Sequence, residues 1–257
     1  MDSREEEIIL SHLEDLAEKS DTLGKYIFSD FLAPEQVQEA LSMPVVRNAP
    51  YLLWGGADSC ERKLFCFGNA ETTGCEPTFP IALIRVQPAM EKFAQQLSHR
   101  DFLGAVMNLG VKRQVVGDIF VSGNSAYIFF KEQIASFIIE NLVKVKNTQV
   151  KCELLDINSA EGLEELMPKT QNAVYSSASE RLDGIIAAVY KLSRGAAVEL
   201  IKGGLVQINH RFSCDTAAVL KAGDLISVRG KGRFIYRGCL GQSKKGRLRI
   251  AAEMYVT

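Results

Sequence analysis

Residues 80–155 follow a fixed order of short elements, and this order limits the folds open to the chain more than any other feature. Runs rich in β-branched and aromatic residues predict strands, and amphipathic runs predict helices. In chain order they give a strand at 81–86, a helix at 98–109, strands at 119–121 and 126–130, a helix at 132–143 and a strand at 150–155. The turn Ser122-Gly123-Asn124-Ser125 joins the two middle strands as a hairpin. The segment is therefore predicted to fold as one α+β domain.

The β-α-β-β-α-β order is that of the split βαβ, or ferredoxin-like, arrangement, which RNA-recognition modules share. The glycine-rich aromatic consensus on the third strand of those modules is absent from this sequence, and Ala126-Tyr127-Ile128-Phe129-Phe130 only partly resembles it. Tyr127 and Phe129 are therefore predicted to be core residues rather than a platform for stacked bases. We predict an RRM-like domain over residues 76–156.

The charge of the chain is divided between its two ends. The whole sequence holds 30 Lys+Arg and 31 Asp+Glu, but residues 181–257 hold 14 against 5, a net charge of +9. Residues 1–180 hold 16 against 26, and within them residues 1–40 hold 3 against 11. A strongly basic part is typical of a domain that binds a polyanion, with a solvated basic surface as the alternative. The near-neutral total therefore hides a candidate nucleic-acid interface.

The remaining sequence completes a multi-domain α+β layout and excludes several classes of protein. Helices predicted within 5–43 and two strand-like runs give an acidic α+β domain at 1–75. A connector at 157–178, with a short helix at 163–167, leads to a basic domain at 179–257.

No apolar run reaches the roughly 18 residues that cross a bilayer, and the acidic N-terminus is unlike a secretion signal. Six cysteines and three histidines are scattered without metal-ligand spacing. We therefore expect reduced thiols, a cytoplasmic location, and no metal or cofactor.

Short motifs within residues 181–229 resemble the S4 RNA-binding domain. They are Arg181-Leu182-Asp183, Lys191, Ser193-Arg194, the run Gly204-Leu205-Val206-Gln207-Ile208-Asn209, and Gly223-Asp224-Leu225-Ile226-Ser227-Val228 with Arg229. The resemblance implies two short helices beside a strand and its loop. The Asn-Gly that commonly follows this strand is Asn209-His210 here.

The residue types in this region suit the backbone of an RNA. Fixed cations replace the counterions of phosphates, and arginine adds bidentate contacts. Aromatic residues are not interleaved with the cations, which favours readout of the shape of a folded RNA. The predicted RNA-binding residues are Arg181, Lys191, Ser193, Arg194, Lys202, Asn209, Arg211, Lys221, Arg229, Lys231 and Arg233.

Motifs outside the basic part resemble a narrower family. They are Glu61-Arg62-Lys63, His99-Arg100-Asp101-Phe102-Leu103-Gly104-Ala105, Asn108-Leu109-Gly110-Val111, Arg113 and Gly117-Asp118-Ile119. With the S4 motifs they resemble the YlmH family of bacterial S4-domain proteins over roughly residues 45–257. The resemblance implies an N-terminal, an RRM-like and an S4 domain, and genes that lie near cell-division genes. It also implies binding to a large ribosomal subunit that carries an obstructed peptidyl-tRNA, in ribosome quality control.

The motifs between His99 and Ile119, here called the central motif, have two interpretations, and both stay open. In the first it is structural, with Gly110 ending a helix and Asp118 bonded to backbone or to Arg113. In the second, Arg100, Lys112 and Arg113 form a second contact with RNA or protein. The triplet His99-Arg100-Asp101 also resembles a kinase catalytic loop, but the next asparagine follows after six residues instead of four, and no Gly-rich loop is present.

The sequence predicts a non-catalytic protein that binds structured rRNA or tRNA, with no membrane and no small-molecule substrate as partner. One alternative is an RNA-modifying enzyme, because Arg181-Leu182-Asp183 resembles the catalytic motif of pseudouridine synthases. Paired carboxylates, or a nucleophile beside a base, are not visible in residues 1–155, and Asp183 is predicted to be a structural partner of nearby cations. The other alternative is an interaction scaffold linked to cell division, with residues 1–40 as the docking face.

Overall fold

The computed structural model of the chain describes residues 3–93, 95–157, 170–243 and 246–255. The chain divides into two compact units, Met1–Met167 and Pro168–Thr257. Both contain helices and antiparallel sheets, so the predicted α+β class is confirmed. Among the described residues, none of the helices is long and apolar enough to cross a lipid bilayer.

The first unit begins with helices packed around a small sheet. Helices α1 (Ser3–Leu23), α2 (Pro34–Ala40), α3 (Pro44–Asn48) and α4 (Ala70–Thr73) accompany strands β1 (Ile27–Phe28), β2 (Tyr51–Trp54) and β3 (Leu64–Phe67), in the sheet order β1-β3-β2. Leu13 and Leu16 of α1 pack onto Phe65 and Phe67 of β3. The helical stretch predicted within 5–43 is interrupted, because Gly24 adopts a left-handed φ of +59° just after α1 and the next apolar residues pair with β3.

The middle of the first unit contains every predicted element in the predicted order. The elements are β4 (Ile81–Pro88), α5 (His99–Met107), β5 (Val116–Ser122), β6 (Ser125–Lys131), α6 (Ala135–Asn141), a short extra strand β7 (Lys144–Val145) and β8 (Thr148–Leu155). The antiparallel sheet has the order β5-β6-β4-β8-β7. Helices α5 and α6 cover one face, where Phe102 and Ile138 pack against Ile84 and Ile128.

The other face of this five-stranded sheet is covered by the N-terminal part of the same unit. Leu83 and Phe129 pack there against Phe31 and Leu64, and Phe129 is fully buried. The prediction that Phe129 is a core residue is therefore confirmed. The two layers touch at Gly56, where an added Cβ would lie 2.3 Å from a ring carbon of Phe129. Gly56 also has a φ of +105°, which side chains rarely adopt.

The second unit is a six-stranded antiparallel sheet with two helices on one face. Its elements are β9 (Thr170–Ser177), α7 (Leu182–Val189), α8 (Arg194–Lys202), β10 (Val206–Ile208), β11 (Arg211–Phe212), β12 (Leu225–Val228), β13 (Gly232–Gln242) and β14 (Leu248–Tyr255). The sheet order is β11-β10-β12-β13-β14-β9. Ile185 of α7 and Ile201 of α8 share a buried core with Phe234 and Ile250 of the sheet.

Strand β9 lies where the sequence predicts a connector. It pairs with all of β14, from Thr170 opposite Tyr255 to Ser177 opposite Leu248. Because β9 is an edge strand with one buried face, Tyr175 packs on the core, while Thr170, Asn172 and Ser176 on the other face are polar and exposed. Val174 on that face is also exposed. The polar residues on the exposed face of β9 give this segment a composition like that of a linker. The short helix predicted at 163–167 lies outside the described residues.

Candidate nucleic-acid interface

A buried carboxylate at the start of α7 holds two arginines in place. Asp183 is only 2% exposed. Arg194 donates hydrogen bonds to it from Nε (3.1 Å) and Nη2 (3.3 Å), and Arg181 donates from Nε (3.4 Å) and Nη2 (3.5 Å). Burial alone raises the pKa of Asp183, but the hydrogen bonds from Arg194 and Arg181 outweigh it and leave the pKa below its ordinary value. The predicted role of Asp183 as a structural partner of cations is confirmed.

The starts of the two helices bring these arginines together. Arg181 immediately precedes α7, and Arg194 is the first residue of α8. Ser193 caps α8, since its Oγ accepts a hydrogen bond from the Ala196 amide at 3.1 Å. In the turn between the helices, Lys191 adopts a left-handed φ of +54°. The Arg181 and Arg194 side chains remain 44% and 57% exposed, so part of each guanidinium faces solvent.

The turn between β10 and β11 carries the departure from the S4 motif. Asn209 and His210 both adopt left-handed φ angles, +49° and +66°. The Asn209 Oδ1 accepts a hydrogen bond from the Leu225 amide at 2.9 Å, and its Nδ2 donates to Asp224 Oδ1 at 2.8 Å. The amide of Asn209 is thus engaged within the protein, where it ties the turn to the start of β12.

The other predicted RNA contacts are spread over the loops and strand ends of the second unit. Exposed side chains belong to Lys191, Lys202, Arg211, Lys221, Arg229 and Lys231. Arg233 is half-buried, with its guanidinium carbon 5.1 Å from the centre of the Tyr255 ring. Because the adjacent Phe234 points into the core beneath the helices, Arg233 lies on the sheet face that is turned away from α7 and α8. The cations predicted for one interface therefore lie on two faces.

Residues of the central motif join the two parts of the first unit. The Arg62 amide donates to Asp118 Oδ2 at 2.9 Å, and the Arg62 guanidinium donates to the carbonyl oxygens of Val116 (3.0 Å) and Phe31 (2.9 Å). Burial, followed by the nearby charge of Arg113, lowers the pKa of Arg62 to about 10. These contacts agree with the structural reading of the motif, in which Asp118 bonds to backbone.

The three residues predicted as a second contact do not stay together. Arg113 is half-buried and donates to the Gly117 carbonyl at 3.2 Å, so its guanidinium faces the protein. Arg100 and Lys112 are exposed. They lie at opposite ends of α5, with Arg100 in its first turn and Lys112 in the loop that follows Gly110.

Two further cations beside Arg100 were not predicted. Lys144 and Lys146, from β7 and its turn, line a groove together with Arg100. They are distant from Arg100 in the sequence, and no periodic pattern indicates that the turn after β7 folds back on α5. The ion pair from Lys146 to Asp101, at 2.9 Å, is the contact that brings them together.

This chain is similar to known proteins and to one protein-family model. Residues 75–159 match the family model described as "Putative RNA-binding domain in YlmH". The chain is also 28% identical over 225 residues to ribosome-associated protein quality control protein P2 of Bacillus subtilis (strain 168), an alignment that covers 88% of this chain and 86% of that protein. The predicted resemblance to the YlmH family is confirmed.

The part of the chain that matches the YlmH model lies in the first unit. It contains the whole five-stranded sheet and its helices α5 and α6, and it ends before the basic unit begins. The solved cell division protein YlmH from Streptococcus pneumoniae is also similar, with 21% identity and a TM-score of 0.48 over 61% of this chain and 94% of that one.

Proposed function

We propose that this YlmH-family chain is a non-catalytic protein that binds structured RNA of the large ribosomal subunit through its second unit. In this proposal residues 179–257, extended by β9, form an S4 domain, and residues 76–156 form an RRM-like domain. The observation that carries the proposal is the arginine pair held by Asp183. It fixes two partly exposed guanidinium groups on the same helix pair as the exposed Lys191 and Lys202.

Fixed cations suit a phosphate backbone better than mobile ones. An arginine whose position is already set loses less side-chain freedom when it binds. The Nε–Nη2 edge of each arginine donates to Asp183, so the other edge of each guanidinium is the one that can meet phosphate oxygens. Residues 181–257 carry a net charge of +9, so counterions released from the RNA favour association. These features support binding through the RNA backbone and its shape rather than through base edges.

The name of the relative supports a ribosomal setting. The Bacillus subtilis protein is named for ribosome-associated protein quality control. If this chain shares that setting, its partners are rRNA and tRNA, which are folded RNAs whose shape a rigid cationic surface can recognise. We propose the large subunit with a bound tRNA as the state recognised, and the cytoplasm as the location.

A cluster of titratable groups around Asp118 in the first unit supports a non-catalytic role. It contains Cys60, His99 and Arg113. Burial, followed by the charge of Asp118, raises the pKa of the Cys60 thiol to about 12. A thiol with such a pKa stays protonated at neutral pH and is a poor nucleophile. Burial, followed by the charge of Arg113, also lowers the pKa of His99. The cluster is therefore better suited to joining the two parts of the unit than to covalent catalysis.

UV crosslinking in cells, followed by sequencing of the bound RNA, tests the proposed partner. We expect the reads to concentrate on large-subunit rRNA and on tRNA. A chain with Lys191→Glu and Lys202→Glu, expressed at the same level, should lose these reads. Reads scattered over messenger RNAs, in equal amounts for both chains, would contradict the proposal.

A further inference from the structure

We propose that a groove beside α5 in the first unit is a second binding site for the phosphate backbone of the same RNA, an inference that rests on the proposed function. The groove, here called the α5–β7 groove, has a volume of about 500 Å³. Its polar lining consists of Arg100, Asp101, Asn108, Asn141, Lys144 and Lys146.

The sheet face that an RRM-like domain would use for stacked bases is largely closed in this chain. Phe129, on the strand where such aromatics lie, is fully buried beneath the N-terminal part of the unit. Gly56 approaches its ring so closely that even a methyl group would not fit. On the uncovered remainder of that face, the charge of Arg85 is neutralised by an ion pair with Glu153. If this domain contacts RNA, the side of the five-stranded sheet that carries α5 and α6 is therefore favoured.

The α5–β7 groove concentrates positive charge in an acidic part of the chain. Residues 1–180 hold 16 Lys+Arg against 26 Asp+Glu, but the groove has three cations and one carboxylate. That carboxylate, Asp101, is already neutralised by Lys146 at 2.9 Å and also accepts a hydrogen bond from the Ser98 amide at 2.8 Å. Within the described part of the chain, Arg100 and Lys144 have no ion-pair partner. Their charges are thus available to an anion.

The ion pair between Asp101 and Lys146 also gives the groove a defined shape. It ties the first turn of α5 to the turn after β7, where Lys146 adopts a left-handed φ of +50°. The interaction with Lys146 and the hydrogen bonds from Ser98 lower the pKa of Asp101 to about 2, so the pair persists at neutral pH. Asn108 adds a side-chain amide that can bond to phosphate or 2′-hydroxyl oxygens, whereas the Asn141 side-chain amide already donates a hydrogen bond to the Phe137 carbonyl at 2.8 Å.

The lining of the groove favours a phosphate backbone over bases. None of the side chains that line it is aromatic, so it offers no stacking surface. Each of the two unpaired cations can contact one phosphate. Binding here would therefore be independent of sequence and sensitive to salt.

Charge reversal of the two unpaired cations tests this site in the full chain. With purified large-subunit rRNA as the probe, we expect Arg100→Glu with Lys144→Glu to weaken binding by about a hundredfold at 0.1 M salt. The slope of log affinity against log salt should become shallower by about two. The matched control, Lys19→Glu with Lys151→Glu, reverses two exposed cations of the same unit that lie outside the groove, and should change affinity by less than about twofold.

The outcomes separate this site from the proposed function. If Lys191→Glu with Lys202→Glu weakens binding and the groove variant binds like the wild-type chain, the groove proposal is overturned and the proposed function stands. If neither pair of substitutions changes binding, the proposed function fails as well. Thermal unfolding of each variant verifies that the chain is folded, and Arg100→Gln with Lys144→Gln repeats the test without new carboxylates.

Discussion

Replacement of Arg194 and Lys202 by glutamate lowers the affinity of the chain for large-subunit rRNA about a hundredfold at 0.1 M salt. Each phosphate contact raises the logarithm of the association constant by roughly 0.9 when the salt concentration falls tenfold, from 1 M to 0.1 M. Loss of two contacts therefore removes about two log units, before repulsion by the new carboxylates is counted. Fluorescence anisotropy with labelled rRNA measures the change.

Two control variants separate binding from folding in this experiment. Because Arg194 also holds Asp183, glutamate at position 194 places two carboxylates together and lowers stability. Lys191→Glu with Lys202→Glu reverses the same charge without touching Asp183, and should weaken binding equally at an unchanged unfolding temperature. The second control is Arg249→Glu. Arg249 lies on the sheet face away from α7 and α8, since the adjacent Ile250 is buried beneath these helices. If Arg249→Glu lowered the affinity for RNA as much as Lys191→Glu with Lys202→Glu, an interface confined to the helix pair would be contradicted.

Substitution of Gly56 by alanine destabilises the first unit by about 3 kcal/mol or more. The added Cβ would lie 2.3 Å and 2.5 Å from two ring carbons of Phe129, and the φ of +105° is strained for any side chain. Phe129 is fully buried, so its ring cannot move aside into solvent. Trp54, the only tryptophan, packs in the same cluster and its fluorescence reports denaturant unfolding of this unit.

Gly104→Ala is the matched control for Gly56→Ala. Gly104 lies inside α5, and nothing is within 4 Å of the position of its added Cβ. Alanine should therefore stabilise the helix there by about 0.5–1 kcal/mol. Similar unfolding free energies for the two variants would mean that the N-terminal part does not pack on Phe129.

The order of the central elements was predictable because each one leaves a local signal. Apolar residues at helical or alternating spacing mark α5, α6 and the strands without reference to the rest of the chain. The covered sheet face was not predictable in the same way. Phe31 and Leu64, which cover Phe129, come from distant segments, and no local pattern links them. Strand β9 was missed for a different reason, because an edge strand with one polar face resembles a linker.

The candidate site was predictable as a set of cations but not as a geometry. The S4 motifs indicated Arg181, Arg194 and the carboxylate between them. They did not indicate that Arg233 lies over Tyr255 on the other face of the sheet. The α5–β7 groove depends on the fold of the turn after β7, so its lysines carry no signal of their own. The RNA contacts of all these residues remain predictions.

The salt dependence of RNA binding tests the central claim most directly, namely that fixed cations bind RNA phosphates. For the wild-type chain and large-subunit rRNA, we expect log affinity to fall with log salt at a slope of about −3 to −6, as for roughly four to seven phosphate contacts. Lys191→Glu with Lys202→Glu should make the slope shallower by about two. An affinity that does not change with salt would contradict binding through the phosphate backbone.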